Sequence, residues 1–143
     1  MDLELRFRPD PILRTKCTPI TVVDEGIRQL AQEMLACLPR WGAAGLAAPQ
    51  VGRPIRLFVT NVGAGLVFIN PRIVSTASER VERIEGCLSL PGMQAIVSRP
   101  KSLVIESVGL DGNLYTIEAQ GFKAVAIQHE ADHLDGVLMI DPR

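Results

Sequence analysis

Phe122-Lys123-Ala124-Val125-Ala126-Ile127-Gln128-His129-Glu130-Ala131-Asp132-His133-Leu134 is the stretch whose reading decides the fold. At helical spacing Phe122, Val125, Ala126, His129 and His133 fall on one face. Ala124, Ile127, Ala131 and Leu134, with Leu138 beyond them, fall on another, so both sides are mostly apolar. A helix apolar on both sides belongs inside a molecule, and residues 122–134 are expected to form a central, enclosed helix. The chain has two histidines and both lie here, four positions apart. That spacing stacks two imidazoles one turn apart, at a separation one metal ion can bridge. Burying them is tolerable only if their ring nitrogens find partners, and a metal would supply some.

What wraps this helix follows from the rest of the chain. From Asp24, a plausible cap, apolar residues recur at Ile27, Leu30, Ala31, Met34, Leu35 and Leu38, the stripe of an N-terminal helix that Pro39 should stop. Residues 8–21 carry Pro9, Pro11 and Pro19 and read as an extended arm. Short strands are expected over 55–60, over 66–70 where Pro71 closes it, and over 102–108 and 114–118 around the turn Gly109-Leu110-Asp111-Gly112-Asn113. Parallel pairing would need helical crossovers, and only two helices are visible. The fold class is therefore α+β: antiparallel strands around a buried helix carrying both histidines, plus an N-terminal helix, in one domain spanning residues 1–143.

Composition narrows the function. Fifteen Lys+Arg against sixteen Asp+Glu give a formal charge of −1, which favours neither nucleic acid nor an anionic membrane as partner. Nothing resembles a signal or transit segment at the N-terminus, and no apolar run approaches the roughly 20 residues of a membrane span. A soluble, cytoplasmic protein is expected. Three cysteines, Cys17, Cys37 and Cys87, are too few and too uneven for a disulfide framework.

The chemistry centres on His129-Glu130-Ala131-Asp132-His133. In an H-E-x-x-H helix the glutamate cannot face the ion with the histidines, but it reaches a water held there, as general base and then general acid. A catalytic ion needs a third protein donor and one open position. Downstream, Asp135 and Asp141 sit too close to the helix end to serve well. Upstream, Cys87 lies in the loop-like Glu85-Gly86-Cys87-Leu88-Ser89-Leu90-Pro91-Gly92, from which a thiolate would complete a Cys-His-His set; taken alone, Cys87 also fits a small buried hydrophobe. Residues 41–52, rich in Gly and Ala, fit a helix-to-strand turn or a place where another backbone or a ligand approaches closely.

Together these blocks resemble the peptide deformylases. Gly45-Leu46-Ala47-Ala48-Pro49-Gln50 is similar to the family's first motif, Glu85-Gly86-Cys87-Leu88-Ser89 to its second and Gln128-His129-Glu130-Ala131-Asp132-His133 to its third, in the right order; Pro9-Asp10-Pro11-Ile12-Leu13-Arg14 resembles its N-terminal signature. The resemblance implies removal of the formyl group from N-formylmethionyl peptides by a metal held by Cys87, His129 and His133. It further implies that Glu130 handles protons, that the Gln50 amide and the Leu88 backbone N–H face the developing oxyanion, and that Gly45 binds substrate through its backbone. Phe122, Val125 and Ala126, on the helix face that carries the histidines, are expected to wall the methionine pocket. The implied ion is Fe(II), with Zn, Ni or Co as alternatives. Glu85 and Arg99 resemble a pair that braces the cysteine loop, and Gln128 and Asp132 flank the ligands.

Two departures stand out. Ala43 occupies a place where the first motif usually has glycine. Nascent chains at the ribosome are the expected substrate; longer family members continue past the metal helix, and the short C-terminus here puts docking to the ribosome in doubt. Two other functions remain open: an endopeptidase on the same H-E-x-x-H scaffold, for which Cys87 would be dispensable to the metal, and a non-catalytic relative, whose usual sign would be a lost ligand or glutamate.

Overall fold

The computed structural model describes residues 2–63 and 65–143. Helix α1 (Glu25–Trp41) begins where the Asp24 side chain accepts a hydrogen bond from the Ile27 amide, satisfying one of the free donors of its first turn. Its buried stripe is Leu30, Ala31, Met34, Cys37 and Leu38. Pro39 does not stop it. The missing proline N–H costs one bond in the last turn, and the helix runs on to Gly42, whose φ of 64° lets its own N–H and that of Ala43 close the Leu38 carbonyl.

Seven strands follow: β1 (Gly45–Ala47), β2 (Leu57–Thr60), β3 (Leu66–Thr76), β4 (Arg80–Gly86), β5 (Gln94–Pro100), β6 (Ser102–Val108) and β7 (Leu114–Gln120). All their pairings are antiparallel. One sheet runs in the order β1-β2-β3-β6-β7, and β4-β5 forms a separate two-stranded sheet. Helix α2 (Gly121–Leu134) lies against both. Ala124, Ile127 and Leu134 pack with Phe58, Phe68 and Ile105 of the large sheet, where Phe58 and Phe68 stack with centroids 4.5 Å apart. Each large apolar side chain enclosed this way contributes about 1.5–3 kcal/mol.

The expected α+β class and the enclosed helix are therefore both present. Besides Pro39, three local features depart from what was expected. The proline-rich arm contains a 3₁₀ turn, Pro11–Arg14, because Asp10 caps the Ile12 amide and proline suits the first turn. Strand β3 continues through Pro71 to Thr76; the register shifts between Ile69 and Arg72, so the proline sits where no ladder donor is needed. Asn70, at φ 48°, bridges that irregularity to the N-terminal arm through Ile20, accepting from its N–H (2.8 Å) and donating to its carbonyl (2.7 Å). The third is the β4–β5 hairpin, which had no counterpart among the expected strands. Among the described residues, no helix is long and apolar enough to cross a membrane.

Candidate metal centre and active site

The two sheets and α2 meet at a cleft of about 650 Å³ lined by residues 42–45, Gln50, residues 83–88, Val125, Ala126, His129 and Glu130, among others. Cys87 is the first residue after β4, so the hairpin delivers its sulfur to the helix face bearing the histidines. Its Sγ lies 3.4 Å from His133 Nε2, and one donor atom from each of Cys87, His129 and His133 falls within 4.8 Å of the others. The sulfur–nitrogen edge of a tetrahedral site with ordinary metal–ligand bonds is about 3.5 Å, so the donor set fits one ion. His133 is 1 % exposed and its Nδ1 has no partner; burial lowers its pKa to about 3, which keeps it in the neutral, ligating form.

His129 is oriented from behind. Its Nδ1 lies 2.8 Å from Glu85 Oε1, which leaves Nε2 as the atom that could face an ion. Burial works against the charge of His129, but its hydrogen bonds to Cys87 and Glu85 prevail and raise its pKa to about 10; a cation at this position replaces that proton. Glu85 is itself gripped by Arg99, through Nε at 2.6 Å and Nη2 at 2.9 Å, and the remaining arm of the guanidinium reaches Asp132 Oδ2 at 2.9 Å. Burial would raise Glu85, yet Arg99 and His129 hold it down at about 2. Glu85 and Arg99 are thus a buried, bidentate pair rather than two solvated charges. Asp132 belongs to this network and also accepts from Arg143. Gln128 does not join it; its amide donates to the Pro100 and Ala124 carbonyls.

Glu130 is 5 % exposed, and burial raises its pKa to about 7. Its Oε1 has no partner. Gly45 of β1 faces it so closely that a Cβ there would stand 2.8 Å from Glu130 Cγ and Oε2. Gln50, in a 3₁₀ turn (Ala48–Val51) after β1, is held at both ends of its amide: Oε1 accepts from the Ala47 amide at 2.9 Å, and Nε2 donates to Ser89 Oγ at 3.1 Å and lies 3.6 Å from Cys87 Sγ. Ser89, fully buried, is a supporting residue to which the sequence assigned no role; its place inside the cysteine block was the available signal. Leu88 lines the cleft directly after Cys87. Val125 and Ala126 are buried at the wall, whereas Phe122 is 49 % exposed with the Arg83 guanidinium 5.7 Å above its ring.

A His-Glu-x-x-His helix whose two imidazoles meet a cysteine sulfur, with a buried carboxyl at their side, defines a mononuclear metal-dependent hydrolase. Within that class the comparisons are specific. The model of the polypeptide deformylase family matches residues 3–143. A peptide deformylase of Rhizobium meliloti is 45 % identical over 139 residues, covering 93 % of this chain and 80 % of the relative; one of Clostridium perfringens is 44 % identical over 140 residues, covering 96 % and 95 %. Among solved structures, the Thermotoga maritima peptide deformylase superposes with a TM-score of 0.95 at 35 % identity, covering 99 % of both chains. The Synechococcus elongatus enzyme, solved with actinonin, superposes at 0.94 and 38 % identity, covering 97 % of this chain and 77 % of that one. The chain belongs to the polypeptide deformylase family.

Proposed function

We propose that this protein hydrolyses the N-formyl group of N-formylmethionyl peptides, releasing formate and a free amino terminus. The observation that carries the reading is the convergence of Cys87, His129 and His133 donor atoms within 4.8 Å, with the buried Glu130 carboxyl beside them. Cys87, His129 and His133 would hold one divalent ion, with Fe(II) as the resident metal on the family resemblance and Zn, Ni or Co as substitutes that the same thiolate–imidazole set accepts. Such an ion supplies Lewis acidity and lowers the pKa of water.

The chain's own residues do the rest. Glu130 takes the proton of the attacking water and passes it to the amide nitrogen as the carbon–nitrogen bond breaks; a carboxyl with a pKa of about 7 is suited to both transfers. Gln50 Nε2 and the Leu88 N–H donate to the oxygen that becomes negative as the formyl carbon turns tetrahedral, each typically worth about 3 kcal/mol. Ser89 and the Ala47 amide fix Gln50 in advance, so only the Nε2 hydrogen that lies toward Cys87 Sγ has to turn to the oxyanion. The Gly45 backbone aligns the peptide and Val125 and Ala126 enclose the methionine side chain, while the half-exposed Phe122 stands at the outer end of that wall. Formylated nascent chains in the cytoplasm are the proposed physiological substrate. The test is formate release from formyl-Met-Ala-Ser by anaerobically prepared, metal-loaded protein; a folded, loaded sample inert toward such peptides overturns the reading.

A further inference from the structure

Resting on the deformylase reading, we infer that Arg83 is a specificity-determining residue that makes the enzyme prefer formyl-Met peptides carrying an acidic side chain at the second or third position. Among the described residues lining the cleft, the charged side chains are Arg83, Glu85, His129 and Glu130. Glu85 is neutralised by Arg99, while His129 and Glu130 are buried at the reacting centre. Arg83 alone of these is exposed, and no carboxylate contacts it among the described residues. It stands over the Phe122 ring, an arrangement that holds the guanidinium plane in place and leaves its N–H edges free to meet a carboxylate.

The surroundings reinforce the sign. Phe122 lies in the first turn of α2, which contains no acidic residue and where backbone N–H groups point outward; Lys123 follows it. Strand alternation sets Glu82 on the opposite face of β4 from Arg83. Position follows from the helix: Phe122 precedes His129 by seven residues, about 10 Å along the axis. An extended peptide covers that distance in about three residues at roughly 3.4 Å each. The formyl carbon at the metal ligands therefore places a later residue, rather than the enclosed methionine, beside an exposed guanidinium.

The experiment compares kcat/KM for C-terminally amidated formyl-Met-Asp-Ala, formyl-Met-Asn-Ala, formyl-Met-Ala-Asp and formyl-Met-Ala-Asn in the wild type, Arg83→Gln and Arg83→Glu at low ionic strength. Amidation removes the terminal carboxylate as a competing anion. The expected wild-type Asp/Asn ratio is about two- to five-fold at one of the two positions, as for an exposed charge pair, shrinking with added salt. It should fall to about one in Arg83→Gln and below one in Arg83→Glu. Ratios within each enzyme cancel any general loss in a variant. Wild-type turnover of all four peptides with no Asp preference at either position, or a preference that survives Arg83→Glu, overturns this inference and leaves the deformylase reading standing. Inertness toward all four overturns both.

Discussion

Adding one methyl group at Gly45 tests how tightly the proton-handling carboxyl is held. A Cβ at this position stands 2.8 Å from Glu130 Cγ and Oε2 and 3.0 Å from Cδ, whereas carbon atoms in ordinary contact stay about 3.5–4.0 Å apart. In Gly45→Ala either Glu130 or β1 must therefore move by up to about 1 Å. Glu130 has little room, being buried on α2, and β1 is pinned through Ala47, which is fully buried and whose amide holds Gln50. A 1 Å misplacement of a reacting group costs on the order of 100-fold in rate, and overpacking costs about 1–3 kcal/mol of stability. The expected result is kcat/KM for formyl-Met-Ala-Ser reduced by about two orders of magnitude. Metal content should stay near one ion per chain, because the three atoms nearest the methyl all belong to Glu130, and the thermal midpoint should drop by a few degrees. Activity within two-fold of the wild type would refute the claim that Glu130 and Gly45 are fitted to each other.

Other perturbations separate the remaining parts of the site. Glu130→Gln keeps the shape but cannot exchange protons; kcat should fall by about 10²–10⁴ with metal content unchanged in elemental analysis. Arg99→Met leaves Glu85 buried without its counter-ion, which should cost about 3–5 kcal/mol in denaturant unfolding and weaken metal retention against a chelator about 10–100-fold through His129. Tyr115 is the single tyrosine, and burial raises its pKa to about 12 from 10. Its neutral form is favoured in the folded state, so its contribution to stability is complete below pH 10 and is lost as pH rises toward about 12; phenolate absorbance should titrate near 12 in the folded protein and near 10 in denaturant.

Much of this arrangement was legible in the sequence, for physical reasons that differ by element. Helix α2 could be read because residues apolar on two faces have no stable place but the interior, and because His129 and His133 share a face at any helical register. Strands β6 and β7 were legible through alternation and the Asp111-Gly112 turn. The β4–β5 hairpin was not: Ile84 and Ile96 pair across it yet stand 67 % and 71 % exposed, and Glu85 and Arg99 are charged yet buried, so the pattern of apolar in and polar out is inverted. The Glu85–Arg99 pair was legible only through the family resemblance, and its contact with His129 was not read at all. Pro39 and Pro71 were read as stops because local rules ignore a helix already ending and a strand already irregular. Cys87 lies 46 residues from His133, and no spacing rule spans that gap; the family resemblance placed it. Arg83 and Ser89 act through neighbours that only the fold brings to them.

The most direct test is X-ray absorption at the metal edge on protein loaded anaerobically with one ion per chain. One sulfur and two imidazole scatterers are predicted, with the sulfur lost in Cys87→Ala. An ion coordinated without sulfur, or a Cys87→Ala variant that keeps both its metal and an unchanged coordination shell, would contradict the account.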